Sequence, residues 1–304
     1  LMQRTGLSRL ALFALSFALV AADAEFSMFG IPTALLCLFL AYAISWELAH
    51  LLKVKWNTFT SESSSTSISL ILVGALFYFG CADKAVAALI HRCGQNAAYS
   101  SIQWKLNELT LIALSIGMMM CALVLAATIV SYAVDAWNQR KPSIVLIGTG
   151  SSILVGLIIG TLFGLAAIMG MPKENASLLL SLIAGLGIVN LMATPNGRAN
   201  SHNENEDGKM GSERGGELMF LLGALFGALL SAGLTGILIK SASESIKLFV
   251  LVIVGAVAQR FLARLSIIQA PENAPKMLSV GIGFYTRHFL TLGMCASIAL
   301  LLKG

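Results

Sequence analysis

The chain has 304 residues, of which 57% are hydrophobic and 12% charged, with a formal net charge of +5, and its mean hydropathy is +0.83. A soluble domain carries about 25% charged residues, so this composition excludes a water-soluble globular fold and indicates an integral membrane protein. In such a chain a basic surplus points to anionic lipid headgroups rather than to nucleic acid.

Continuously apolar segments of about 20 residues cross a bilayer as helices, whereas barrel strands alternate. The expected fold class is therefore all-α and polytopic, with about nine transmembrane helices in one membrane domain over residues 1–304. Arg4 and Arg9 precede the apolar run Leu10–Val20, and Ala22-Asp23-Ala24 resembles a small-residue cleavage site. A signal peptide or a first span over Leu7–Ala22 would both fit; we favour the span.

The following spans are Ile31–Leu52, Ile68–Ile90, Leu109–Val134, Ile144–Met169 and Ala176–Thr194. Asp83 and Lys84 interrupt the third, which suggests a shorter helix followed by a re-entrant or interfacial piece. A polar inner-side loop, 196–216, separates these from Glu217–Ile239, Ile246–Leu262 and Leu278–Leu302. Pro142, Pro172, Pro195, Pro271 and Pro275 fall at span edges, where a missing N–H is cheap. Gly156, Gly160 and Gly164, and again Gly223 and Gly227, recur at four-residue spacing. That pattern predicts close helix packing rather than a phosphate loop, since no Lys-Ser/Thr follows.

With the N-terminus inside, the inner segments collect more Lys and Arg than the outer ones, as the positive-inside rule expects. The five cysteines lack paired spacing and read as small buried residues. His50, His91 and His202 are isolated and show no metal-ligand spacing.

Near the C-terminus, Gly255-Ala256-Val257-Ala258-Gln259-Arg260-Phe261-Leu262-Ala263-Arg264 is followed by a Pro-containing loop and by Leu278-Ser279-Val280-Gly281-Ile282-Gly283-Phe284-Tyr285-Thr286-Arg287. The pair resembles the signature of the phosphatidate cytidylyltransferases (CDP-diacylglycerol synthases), which reads G-D-x-x-E-S-x-x-K-R and then L-P-G-H-G-G-x-x-D-R. Three further stretches are similar to that family in matching order. Ser45–Lys55 resembles W-E-x-A-x-L-x-x-x-K, Val189–Arg198 resembles D-T-x-A-Y-x-x-G-R, and Gly211–Leu218 resembles S-P-x-K-T-x-E-G. The acids are missing from this frame. Asn190, Ala256 and Thr286 stand at Asp positions, Gln259 at the Glu position and Gly281 at the His position, while Arg214 replaces a Lys and Glu217 is retained.

The resemblance implies a reaction that joins a lipid phosphate to CTP with Mg²⁺ stabilising the developing charge. Neutral Asn190, Ala256 and Thr286 cannot replace carboxylates on a hard cation. Glu204, Glu206 and Asp207 read as a solvated charge run, and Glu217 as a first-turn acid on a helix dipole. No catalytic residue, metal ligand or cofactor is therefore expected; Mg²⁺ belongs only to the alternative of an active transferase.

Arg198, Arg214, Glu217, Arg264, Arg287 and His288 are the candidates for a lipid-headgroup or vestigial nucleotide site. Arg287 lies deep in the last span and is the strongest of them, with a structural pairing to Glu47 or Gln259 as the other reading. Three functions follow. The first is a non-catalytic, CDP-diacylglycerol synthase-like subunit, structural or phospholipid-binding, of a larger membrane complex. The second is an active phosphatidate cytidylyltransferase with a rearranged metal site, and the third a small transporter or channel. Expected partners are membrane phospholipids and other membrane-protein subunits, in a mitochondrial inner or bacterial plasma membrane.

Overall fold

A computed structural model describes residues 2–26, 30–56, 62–93, 142–171, 173–193, 206–264 and 284–302, together with isolated positions between 122 and 137. Among the described residues there are helices and no strand: α1 (Met2–Phe26), α2 (Ile31–Trp56), α3 (Glu62–Cys93), α4 (Pro142–Met169), α5 (Lys173–Ala193), α6 (Glu206–Ile239), α7 (Ala242–Arg264) and α8 (Phe284–Leu301). Six stretches are long and apolar enough to cross a membrane, namely Ile31–Lys53, Glu62–Cys81, Ile147–Met169, Glu174–Met192, Glu217–Ile239 and Ala242–Leu262. These coincide closely with six of the expected spans, because in hydrocarbon the backbone must satisfy its own hydrogen bonds and a helix does so locally.

Two expectations are corrected. Asp83 and Lys84 do not break the third helix, which runs unbroken through both to Cys93. Neither residue removes a backbone donor, and no Gly or Pro follows in that stretch to end the helix. The helix begins earlier than expected, at Glu62. The polar segment 196–216 is not loop throughout, since α6 opens at Glu206. Only the apolar portion of that helix, from Glu217, was marked by hydropathy.

The helices divide into two compact units, one formed by residues 26–172 and the other by residues 1–25 and 173–304. In the first, α2 and α3 run antiparallel, with Ser45 Oγ 3.0 Å from Ser69 Oγ. By contrast α3 and α4 run parallel. Gly156 faces Ile68, Gly160 faces Leu72 and Gly164 faces Leu76, each pair one turn beyond the last. A Cβ added at Gly156 or Gly160 would stand only 2.6 or 2.7 Å from the opposing Cβ. Between helices already in hydrocarbon, such close approach and its dispersion contacts replace the hydrophobic drive.

In the second unit α5 and α6 cross at two glycines. A Cβ at Gly185 would lie 2.8 Å from the Gly227 carbonyl oxygen, and one at Gly227 would clash with the carbonyl oxygen of Gly185. The α6–α7 connection is tight because Lys240 adopts φ 59°, a left-handed C-terminal position usually given to glycine. Ser241 then caps α7: the Glu244 amide donates to Ser241 Oγ at 3.4 Å, and the Ser245 amide to the Ser241 carbonyl at 3.1 Å. Helix α1 joins this unit through Phe13, whose ring stacks on Phe289 at 4.9 Å.

Candidate functional site

The residues of the C-terminal signature occupy the junction of α5, α7 and α8. Helix α7 presents Gly255 to both neighbours, and a Cβ there would meet Leu186 Cδ2 and Cys295 Sγ, each at 2.9 Å. Gly255 thus holds α7 close to α5 and α8 together. One turn further along each helix the packing turns polar. Gln259 Nε2 donates to Thr291 Oγ1 at 3.2 Å, and Thr291 Oγ1 in turn donates to the His288 carbonyl at 2.8 Å. Since Gly185 and Leu186 on α5 face Val252 and Gly255 on α7, Asn190 stands level with Gln259.

The four positions at which an acid of the resembled signature is replaced are each buried. Asn190 is 7% exposed, Ala256 0%, Gln259 4% and Thr286 1%. Their chemistry is two amides, a methyl group and a hydroxyl. That donor set does not fit Mg²⁺, which is held through carboxylate oxygens with phosphates and water. It does fit a packed interior, where neutral polar groups that hydrogen-bond one another are far cheaper to bury than carboxylates. Among the described residues no group of three or more His, Cys, Asp or Glu side chains is placed to hold a metal ion.

The charged part of the site lies beside this layer, at the edge of the membrane-crossing stretches. Arg260, the residue after Gln259, turns toward α6: its Nη2 is 3.2 Å from Glu217 Oε1, and its guanidinium sits 5.4 Å from the centre of the Phe220 ring. Glu217 is therefore not a first-turn acid. It lies about three turns into α6, because the helix begins upstream at Glu206, and its partner is a guanidinium rather than a helix dipole. Both side chains are well exposed, 39% for Arg260 and 56% for Glu217, so the pair is reachable from outside the helix bundle.

Of the other candidates, His288 lies on α8 and contributes its carbonyl to the Gln259–Thr291 chain. Arg214 lies on α6 upstream of Glu217, Arg264 ends α7, and Arg287 precedes His288 on α8; their side chains, like Arg198 and Gly281 as a whole, lie outside the described residues. The antiparallel pairing of α6 with α7 through Glu217 and Arg260 sets Arg214 and Arg264 at one end of the two helices. Gln259 Nε2 donates to Thr291, while the alternative pairing of Arg287 with Glu47 or Gln259 falls on a side chain outside the described residues.

Sequence reasoning missed two things. Arg260 was not among the candidate site residues, although its place one residue after a signature position and near a span end carried the signal. His50 is not isolated: its Nδ1 lies 2.9 Å from Glu62 Oε1, and its ring stacks on Trp46 at 5.3 Å. A basic residue at the end of one span and an acid opening the next, across a short connection, would have predicted that contact.

Among the described residues, six helices long and apolar enough to cross a membrane, with no strand, define an all-helical integral membrane protein. No family model, curated protein or solved structure matches this chain.

Proposed function

We propose that the chain is a non-catalytic relative of the CDP-diacylglycerol synthases, a structural or phospholipid-binding subunit of a larger membrane assembly. The observation that carries this reading is the burial of Asn190, Ala256, Gln259 and Thr286, the four positions on α5, α7 and α8 where the resembled acids are replaced. Substitution of acids by side chains that fill and bond the same interior is what retention of a scaffold without its reaction would leave. Arg260, with Arg214 and Arg264 at the same end, supports the lipid-binding part, since a phosphate group suits a bidentate guanidinium at a membrane edge.

The nine-span arrangement belongs to this proposal. Support comes from the parallel α3 and α4: two parallel spans require the chain to return between Cys93 and Pro142. The described positions from Ala122 to Trp137 are helical. The exposed ones, Ala122, Ala126, Val130, Val134 and Trp137, are all apolar.

Native purification in mild detergent tests the reading. The expected result is migration within a large complex, with co-purified phospholipid and no CTP- and Mg²⁺-dependent conversion of phosphatidate. Migration alone with turnover of phosphatidate would overturn it in favour of an active transferase.

A further inference from the structure

The Arg260–Glu217 pair heads two apolar stripes on neighbouring helices. Glu217 opens the membrane-crossing stretch of α6, and Arg260 lies two residues before the end of that of α7. Because the two helices are adjacent and antiparallel, both side chains fall at one level, at the boundary between hydrocarbon and headgroups. Leu221, one turn further along α6, and Val257, one turn back along α7, are exposed apolar side chains. Leu225 and Val254, also exposed, continue these rows toward the middle of the spans. An acyl chain lying against them carries its phosphate to the level of the pair.

The pair offers both signs of charge to such a lipid. Arg260 Nη2 is 3.2 Å from Glu217 Oε1, and the two side chains are 39% and 56% exposed. A guanidinium has five N–H donors, and among the described residues only one of those of Arg260 is engaged, on Glu217. The Phe220 ring, 5.4 Å from the guanidinium, covers one face of the group and leaves its donor-bearing edge for a phosphate. An exposed ion pair of this kind contributes little to holding two helices together, so both partners can be shared with a ligand at small cost.

Charge decides which headgroup fits. A lipid whose only charge is its phosphate gains the guanidinium but meets the carboxylate as a like charge. Arg214 and Arg264 lie at the same end, yet they act on the phosphate that every glycerophospholipid carries and do not separate one headgroup from another. Glu217 does. An ethanolamine headgroup places a primary ammonium two carbons from its phosphate ester oxygen, a reach that suits a pair 3.2 Å apart. Its three N–H donors can bond a carboxylate. A choline headgroup carries the same charge without an N–H and forfeits that bond.

Resting on the lipid-binding reading of the same edge, we propose that α6 and α7 bind a zwitterionic ethanolamine phospholipid there, its phosphate on Arg260 and its ammonium on Glu217. Glu217 is then the residue that selects the headgroup.

The test delipidates the intact chain in mild detergent and adds equal amounts of phosphatidylethanolamine, phosphatidylcholine and phosphatidylglycerol with identical acyl chains. Native mass spectrometry counts the bound lipids. The expected result is about fivefold more ethanolamine lipid than either of the others, the discrimination of roughly one exposed charge pair. Glu217→Gln brings the ethanolamine and glycerol lipids to near parity, and Arg260→Ala lowers retention of all three. Glu244→Gln, which removes one negative charge at the other end of α7, keeps the wild-type ratio. Equal or greater retention of phosphatidylglycerol or phosphatidylcholine by the wild type, or an unchanged ratio in Glu217→Gln, overturns the headgroup assignment and leaves the lipid-binding reading standing. Retention of no phospholipid by the wild type overturns both.

Discussion

Gly185 on α5 and Gly227 on α6 pack backbone against backbone, each occupying the place that the other's side chain would need. The contact joins two antiparallel helices at their middles and fixes how far apart α5 and α6 can stand. It gives the four-residue glycine spacing in α6 a stereochemical reason, since Gly223 one turn earlier makes room for Met192.

Gly227→Val should therefore destabilise the protein strongly, by about 3 kcal/mol or more, because overpacking against backbone cannot be relieved by a rotamer change. Gly233→Ala, on the same helix with no atom within 4 Å of the added Cβ, should instead stabilise by about 0.5–1 kcal/mol through helix propensity. Reversible unfolding in mixed micelles distinguishes the two; equal effects would mean that the α5–α6 contact is not formed.

Restoring the acids should not restore a reaction. Ala256→Asp and Gln259→Glu place a carboxylate in positions that are 0% and 4% exposed. A buried charge of this kind, left without its partner, costs about 3–5 kcal/mol. Both variants should unfold at markedly lower temperature, and neither should convert phosphatidate and CTP. Turnover by a folded Gln259→Glu protein would contradict the packed-scaffold reading.

Breaking the Arg260–Glu217 pair should affect lipid binding more than stability. Both side chains are more than a third exposed, and such pairs contribute only about 0–1 kcal/mol. Glu217→Gln should leave thermal stability nearly unchanged and increase retention of anionic phospholipid, because the guanidinium then has no competing carboxylate. Arg260→Ala should lower that retention, and Arg260→Lys should rescue it only in part, since an ammonium lacks the planar fork. Native mass spectrometry with defined lipids measures each change.

The α6–α7 turn offers a clean backbone test. Lys240→Gly should stabilise by about 1 kcal/mol, because a non-glycine residue pays roughly that much to adopt a left-handed conformation. Ser241→Ala should destabilise by about 1 kcal/mol by removing the acceptor for the Glu244 amide. Thermal unfolding of the two single variants reads both directions.

Hydropathy located the crossing stretches to within a few residues at Ile31, Met169, Glu217 and Ile239, because burial in hydrocarbon is decided by the side chains of one segment. It failed at Asp83, which lies inside a continuous helix, and at Glu206, where the helix begins ahead of its apolar part. Charge makes a segment unsuited to lipid, yet it leaves the backbone hydrogen bonds of a helix intact. The signature positions were readable as acids lost. That Ala256, Gln259 and Thr286 would be buried, and that Gln259 would find Thr291 across 32 residues of sequence, depended on the packing of α7 against α8.

The sequence by itself determined that this is a helical membrane protein with small-residue seams, since both properties reside in the order of residues along single helices. Only the tertiary structure decided that α3 and α4 run parallel, that Arg260 meets Glu217, and that Gln259 meets Thr291. Those outcomes turn on which helices become neighbours and at what level. In a bilayer that choice follows from close-packing and a few hydrogen bonds summed over whole helix faces, a quantity that no single stretch of sequence contains.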